Sequence, residues 1–555
     1  MRNALIFSRP QTRQHHDDGE FDMSAQPAEK SKWTILIYFA ADNDLDEAAF
    51  KVLREIKKVG SNSDLNIIAQ LDTRGIGRTF RFRLRDDRYT IEEDRIWQDE
   101  EINTGDPKEL TKFITWGVEK FPADHYMLVI WGHGQGWELA RDDHSPARAG
   151  ARTVGAFQKQ KSRKLGSDAD ITESSEDVLN SCELDQALRE SIEKLVEMNL
   201  LVDDKPEGKP AKIDILGMDA CMMGTTEVAH HLRDRAKYMI ASEDTVPLDS
   251  WPYARIFDAM RKSPAMTPED LSTSIIREYL IQYRDQVKGA TLATFNLEAS
   301  ITDKLTEALT MLARELKTRL SQDPVVRFAV MKARIAAQTF YLKEFVDLYD
   351  FCDQLSSIIE DAEIEAACNA VKAAIHDQKA EDADRSSERT LVREQGFYGY
   401  QMNGAKGASI YFPWNWVERK DYCQLPLVEK TGWGRFLEEF SKGPELARER
   451  SSTEEKGARL KKEEKKTPLS PLFVGLQSNI KILEGTTEKI TEGTREKGWR
   501  SFGRIPSLRP NDPKSERQEK PSAPPTFEVT MESSIDENSA SSNNAPATQR
   551  PLKQT

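Results

Sequence analysis

The chain has 555 residues, 38% of them hydrophobic with 10 Trp, which is enough for two or more domains and at least one sizeable core. Its formal charge of -14 excludes the basic stripe that holds nucleic acid and favours cationic ligands instead. The 5 cysteines are odd in number and lack C-x-x-C spacing, which excludes a disulfide framework or zinc ribbon and points to a reducing, cytoplasmic setting.

Residues 1–32 carry an apolar stretch too short for a secretory signal and are expected to form a disordered arm, with Met1 or Met23 as the start. No apolar run reaches the ~18 residues of a membrane span, so no membrane partner is expected. From Trp33 the pattern changes to T-I-L-I-Y-F (34–39), a buried strand, then to L-D-E-A-A-F-K-V-L-R-E-I-K-K-V at helical spacing. L-N-I-I-A-Q-L-D (65–72) repeats the strand signal, 79–85 alternates like a half-exposed hairpin strand, and 106–118 reads as a helix. Y-M-L-V-I-W (126–131) is apolar throughout, as a strand covered on both faces should be.

A polar insert (141–180), a helix (183–198), the strand I-D-I-L-G (213–217), a helix from about Thr225 and the strand Y-M-I-A-S (238–242) follow. Strands alternating with helices predict an α/β sandwich with a mostly parallel sheet over 33–262. Residues 263–440 read as a mainly helical α+β second subdomain, with helices at 268–285, 299–321, 343–359 and 361–377 and strand-like runs at 290–295 and 408–413. From 441 to 555 charge runs give way to Pro, Ser and Asn, the composition of a disordered tail. Its short apolar islands, such as P-L-F-V-G-L (471–476), are candidate docking segments for an unknown protein partner.

Two apolar strands end in reactive residues: Y-M-L-V-I-W-G-His133-G-Q-G-W and I-D-I-L-G-M-D-A-Cys221. Taken singly, an unpaired Cys is most often a small core hydrophobe and a His after a strand most often structural. If the strands are parallel neighbours, both residues emerge at one carboxyl edge, where open sheets bind ligands and where a Cys–His nucleophilic site needs them. A helix starting just after Cys221 is expected to lower the thiol pKa further. Gly134 lets a backbone N–H approach a substrate carbonyl. His125, His144, His230 and His231 are set aside, the first because it precedes its strand and the last two because they lie on the helix after Cys221.

H-G after one strand and D-A-C-M-M-G after another resemble the clostripain-like cysteine peptidases, relatives of caspases, gingipains and legumain. The segments I-L-I-Y-F-A-A-D-N-D-L-D, A-S-E-D-T-V-P-L-D-S-W-P-Y (241–253) and G-A-S-I-Y-F-P (407–413) are similar to that family as well, so the resemblance covers roughly 33–440. It implies a caspase-like sandwich, a catalytic dyad of His133 and Cys221, and an oxyanion hole of the Gly134 and Cys221 N–H groups. It also implies protein or peptide substrates cut after Arg or Lys, whose pocket needs carboxylates. Asp219 and Asp249 are the candidates, with Glu243 and Asp244 in reserve; a helix cap for Asp219 and an ordinary turn for Asp249 are the plainer alternatives.

Autocleavage between His and Cys, as in several members, is expected after Arg152, Lys159, Lys161, Arg163 or Lys164. One departure stands out: members commonly have P-G-x-G-W where this chain has Pro247-Leu248-Asp249-Ser250-Trp251. No cofactor is required. Calcium activation, found in some members, stays open at D-N-D-L-D (42–46), although Glu47 and Leu53 break an EF-hand pattern and a helix N-cap is the preferred reading. The alternative function is a catalytically inactive, peptidase-like scaffold, favoured by the altered pocket wall and the tail. A metal hydrolase is weaker, because no third ligand accompanies His133 and Cys221.

Overall fold

Strands that are apolar on both faces need a layer of helices on each side, and that requirement sets the architecture. The computed structural model describes residues 30–73, 78–100, 102–137, 158–159, 177–202, 210–284, 289–376, 390–414 and 420–442. Residues 1–29 of the expected arm, most of the insert, the tail beyond Lys442, His144, Arg152, Lys161, Arg163 and Lys164 lie outside the described residues, whereas Ser31 and Lys32, expected in the arm, already belong to the first strand.

The first half of the chain runs β1 (Ser31–Ala41), α1 (Asp46–Lys57), β2 (Leu65–Thr73), β3 (Arg78–Arg83), α2 (Ile91–Asp94), β4 (Arg95–Glu100), α3 (Pro107–Lys120) and β5 (Ala123–Trp131). A two-residue ladder of β6 (Gln158–Lys159) with β7 (Asp177–Val178) follows, then α4 (Ser181–Glu197), β8 (Ile213–Asp219), α5 (Thr226–His231), β9 (Ala236–Ala241), α6 (Tyr253–Lys262) and α7 (Pro268–Tyr283). The second half contains β10 (Ala290–Asn296), α8 (Ala299–Leu320), α9 (Pro324–Ala336), β11 (Phe345–Asp347), α10 (Leu348–Ser356) and α11 (Ala362–Ile375). It closes with β12 (Val392–Tyr398), β13 (Ser409–Tyr411), α12 (Lys420–Cys423), α13 (Pro426–Thr431) and α14 (Trp433–Ser441).

Nine strands form one sheet in the order β12-β10-β9-β8-β5-β1-β2-β3-β4. The centre from β9 to β2 is parallel and both edges are antiparallel, so the expected mostly parallel α/β sandwich is observed. Alternation along β1 divides the core: Leu36, Tyr38 and Ala40 face a cluster with Leu110, Phe113, Leu184 and Leu309, while Ile35, Ile37 and Phe39 face Leu53, Ile56, Phe257 and Ile275. The chain leaves β1 toward β2 on one side and β5 toward β8 on the other, making a topological switch point between β1 and β5.

Segment 263–440, read as a second subdomain, contributes β10 and β12 to this same sheet. The helix expected over 343–359 is instead the short strand β11 followed by α10, because Asp347 caps the helix by accepting from the Asp350 N–H at 2.7 Å. The unpredicted α9 begins at a signal present in the sequence: Asp323 caps it, with Pro324 in its first turn.

β13 pairs with β11 and props up the loops that follow β8 and β9. The Ser409 N–H donates to the Gly224 carbonyl at 3.0 Å, that of Tyr411 to Glu227 Oε1 at 2.9 Å, and that of Gly407 to Glu243 Oε2 at 2.9 Å. Glu243 and Asp347 interact as a buried pair of carboxyl groups. Burial raises both, Asp347 to about 7, and the charge of Asp347 raises Glu243 further. Because the folded values lie above the unfolded ones, this pair's stabilisation is greatest below about pH 4 and is lost as pH rises through neutrality. The melting temperature should therefore fall between about pH 5 and 8, and Glu243→Gln, which keeps an acceptor for Gly407, should flatten the fall. Identical pH slopes in calorimetry of the two proteins would show that the pair is not titrating.

Candidate active site

Parallel pairing of β5 with β8 puts Trp131 opposite Asp219, and the Gly132 N–H donates to the Asp219 carbonyl at 3.4 Å. His133 and Cys221 each follow that rung by two residues, so the sheet brings both to the same carboxyl edge. Gly134 lies directly against Cys221: a Cβ built on it would sit 2.3 Å from the Cys221 carbonyl oxygen and 2.9 Å from its nitrogen. Glycine is required here first by the approach of the two loops, before any substrate enters.

Cys221 is partly buried, and its Sγ accepts from the Val246 N–H at 3.3 Å. The next residue, Met222, has a left-handed φ of 57°, held by its N–H bond to the Asp244 carbonyl at 3.0 Å. Below it the Gly224 N–H donates to the Ser242 carbonyl at 2.8 Å.

The expected lowering of the thiol pKa is not found. Helix α5 has only 6 residues and starts at Thr226, capped by Thr225, so its amino end is not at Cys221. Burial pushes the thiol up, and the Asp219 and Asp244 charges add to this against the single opposing N–H of Val246.

His133 Nε2 lies 2.7 Å from Asp44 Oδ1, a partner that sequence reasoning missed. The D-N-D-L-D segment does not cap α1 in the expected way: the N-cap is Leu45, without a side-chain bond, although Asp46 and Glu47 do occupy the first turn. Asn43 instead bridges its own loop, donating to the Ala40 carbonyl and accepting from the Leu45 N–H, each at 2.9 Å. Among the described residues no group of three or more His, Cys, Asp or Glu side chains is arranged to hold a metal ion.

Asp219 is buried. Its Oδ2 accepts from Tyr253 Oη at 2.8 Å, from the Trp251 N–H at 3.4 Å and from the Ser250 hydroxyl, while Oδ1 has no partner among the described residues. Burial raises this carboxyl to about 6 against those three donors. Since Thr225 caps α5, the helix-cap alternative for Asp219 falls away.

Asp249 is exposed on a turn closed by the Ser250 N–H bond to the Pro247 carbonyl at 2.8 Å. Ser250 accounts for one of the two departures from P-G-x-G-W; the other, the exposed Leu248, has no structural explanation. Ser250 holds a left-handed φ of 63°, a conformation natural to Gly and strained by roughly 1–3 kcal/mol in other residues. Its hydroxyl is what Gly would lack: it accepts from Trp131 Nε1 at 2.8 Å and donates to Asp219.

Of the reserve carboxylates, Glu243 is turned into the pair with Asp347, and Asp244 Oδ1 accepts from the Tyr341 N–H at 2.9 Å. Asp244, Thr245, Gln338, Tyr341, Lys343 and Met402 line a cavity of about 600 Å³. His125 packs on Trp33 with the rings tilted and their centroids 4.9 Å apart, and His230 is pushed down to about 3 by burial.

A thiol and an imidazole at one carboxyl edge of a parallel sheet, with two loop backbones in contact, define an α/β sandwich with a candidate Cys–His site. The model of the clostripain family matches residues 37–439, and the chain belongs to that family. Clostripain of Hathewaya histolytica is 26% identical over 265 residues, which span 43% of this chain and 44% of the relative's length. A secreted C11 cysteine protease from Bacteroides thetaiotaomicron, solved with an irreversible peptide inhibitor, has 18% identity and a TM-score of 0.49 over 73% of this chain and 99% of its own. An inactive zymogen C11 protease from Parabacteroides distasonis has 21% identity and a TM-score of 0.48 over 73% of this chain and 99% of its own.

Two outcomes follow from this geometry. Alkylation of Cys221 in the unliganded protein should keep rising with pH through the alkaline range, as peptide mapping of brief iodoacetamide labelling would record; a plateau reached already near neutrality would mean that a thiolate–imidazolium pair is preformed. Gly134→Ala should remain folded by circular dichroism yet lose at least about 10²-fold in turnover of a peptide amide, since a ~1 Å displacement at a reacting group has that effect. Retention of more than half the wild-type rate would show that the loops yield without consequence.

Proposed function

We propose that this protein is a cysteine endopeptidase that cleaves protein or peptide substrates after Arg or Lys, with Cys221 as nucleophile and His133 as its acid–base partner. The observation that carries the reading is the shared register of Trp131 and Asp219, with Gly134 packed on the Cys221 peptide. The Cys221 Sγ attacks the scissile carbonyl carbon and its proton passes to His133. The resulting oxyanion is stabilised by the Gly134 and Cys221 N–H groups. Collapse of this intermediate expels the amine, which takes the proton from the imidazolium, and water then hydrolyses the thioester. These groups suffice without a cofactor.

Specificity is assigned to Asp219 and Asp249. The unpartnered Oδ1 of Asp219 is a buried acceptor that a guanidinium or ammonium group would satisfy. Asp249, exposed on the adjoining turn, supplies a second negative charge. Maturation by autocleavage between His133 and Cys221 belongs to the same reading, since the intervening chain offers Arg152, Lys159, Lys161, Arg163 and Lys164.

Hydrolysis of an Arg-ending peptide amide should be abolished by Cys221→Ala and by His133→Ala; turnover by either variant would end the dyad assignment, and an inert wild-type protein would favour the scaffold function. Asp219→Asn keeps the acceptor for Tyr253 but removes the charge. It should reduce kcat/KM for Arg substrates by about 3–5 kcal/mol, or roughly two to three and a half decades. Because ionised Asp219 is the form that binds a cation and its carboxyl is raised to about 6, KM for Arg substrates should improve as pH rises through 6. A pH-independent KM, or a preference for Asp or apolar side chains, would refute the pocket while leaving the dyad intact.

A further inference from the structure

The structure assigns Asp44 as the positioning residue for His133, an inference that deepens the proposed function and rests on it. Asp44 lies in the loop after β1 and His133 in the loop after β5. These adjacent parallel strands are in register up to Phe39 and Trp131, and the chain departs from them in opposite directions. The Asp44–His133 hydrogen bond therefore spans the switch-point crevice of the sheet, the place where open α/β sheets take their ligands.

The loop holding Asp44 is fixed from below. Asp42 and Asn43 are buried, and the two Asn43 side-chain bonds tie the loop to the end of β1 and to the start of α1. Asp44 Oδ1 accepts from the Nε2–H of His133 at 2.7 Å, which selects that tautomer and leaves Nδ1 as the nitrogen able to exchange a proton with the thiol. In the reaction the Sγ–H proton moves to Nδ1 as the S–C bond forms, then from Nδ1 to the departing amine as the C–N bond breaks. The Nε2–H stays on Asp44 throughout, so the ring does not have to turn between the two transfers.

The Asp44 side chain is 75% exposed and that of His133 24%, so the pair adds little to global stability. Its effect should fall on the rate of the chemical step. The test uses the full chain with an Arg-ending peptide amide, comparing Asp44→Ala, Asp44→Asn and His133→Ala for kcat, KM and melting temperature. Asp44→Ala is expected to lower kcat about 10- to 100-fold, with KM within a factor of ~2 and an unchanged melting temperature. Asp44→Asn, whose amide oxygen still accepts from Nε2–H, is expected to recover at least half of that loss on a logarithmic scale. A wild-type kcat in Asp44→Ala beside an inert His133→Ala would overturn the inference alone. So would a loss that Asn does not restore, or one that appears in KM or in the melting temperature. Normal turnover by His133→Ala would overturn the dyad, and this inference with it.

Discussion

The site depends on one constraint, the register of three neighbouring parallel strands, β1, β5 and β8. Side chains alternate along a strand, so a slip of one residue would exchange the two faces of the sheet. Here it would also carry Asp219 out of its bonds with Ser250 and Tyr253 and displace Cys221 from the loop of His133. Burial on both faces fixes the register, because neither face tolerates the exchange. The chemistry-bearing residues then need only short loops to meet. Those loops are held at two glycines, Gly134 against Cys221 and Gly224 against Ser242 and Glu243, where a Cβ would lie within 3.0 Å of backbone atoms.

The electrostatics around Cys221 oppose ionisation of its thiol. Burial raises the Cys221 thiol, and the Asp219 and Asp244 charges raise it again. On the proposed reading this opposition has a use. A basic side chain paired with Asp219 would cancel one of the charges that hold the proton on sulfur, so the substrate itself would ease ionisation of the thiol. Specificity and activation would then share one carboxylate. The hydroxyl of Ser250, retained at a strained φ, keeps that carboxylate in place, which accounts for a residue other than Gly at that turn.

The central strands were legible because apolar runs such as Y-M-L-V-I-W signal burial on two faces, and the positions of His133 and Cys221 followed from where those runs end. Asp44 was not legible. Its partner comes from a neighbouring strand distant in sequence, and its local setting, an acidic stretch before a helix, matches a cap equally well. Strand β11 was hidden for a related reason: three apolar-leaning residues ahead of a helix carry no period of their own and become a strand only because 409–411 pairs with them. The thiol environment was misjudged because the distance from Cys221 to the helix start depends on a turn through Met222, and a left-handed residue other than Gly or Asn leaves little trace in sequence.

The segments 241–253 and 407–413, far apart in sequence, turn out to be parts of one support. The first supplies the carbonyls of Ser242 and Asp244 to the Cys221 turn and the Val246 N–H to its sulfur. The second supplies N–H groups to the carbonyl of Gly224 and to the buried carboxyls of Glu227 and Glu243. Each of those acceptors is buried, and a buried acceptor left without a donor is destabilising by about 1–3 kcal/mol. The loop carrying Cys221 is therefore held in its geometry by donors from the later part of the chain. The two strands that the later part adds to the sheet make this support continuous with the fold itself. The turn at Cys221 is thus tied, through 241–253 and 407–413, to the C-terminal half of the chain.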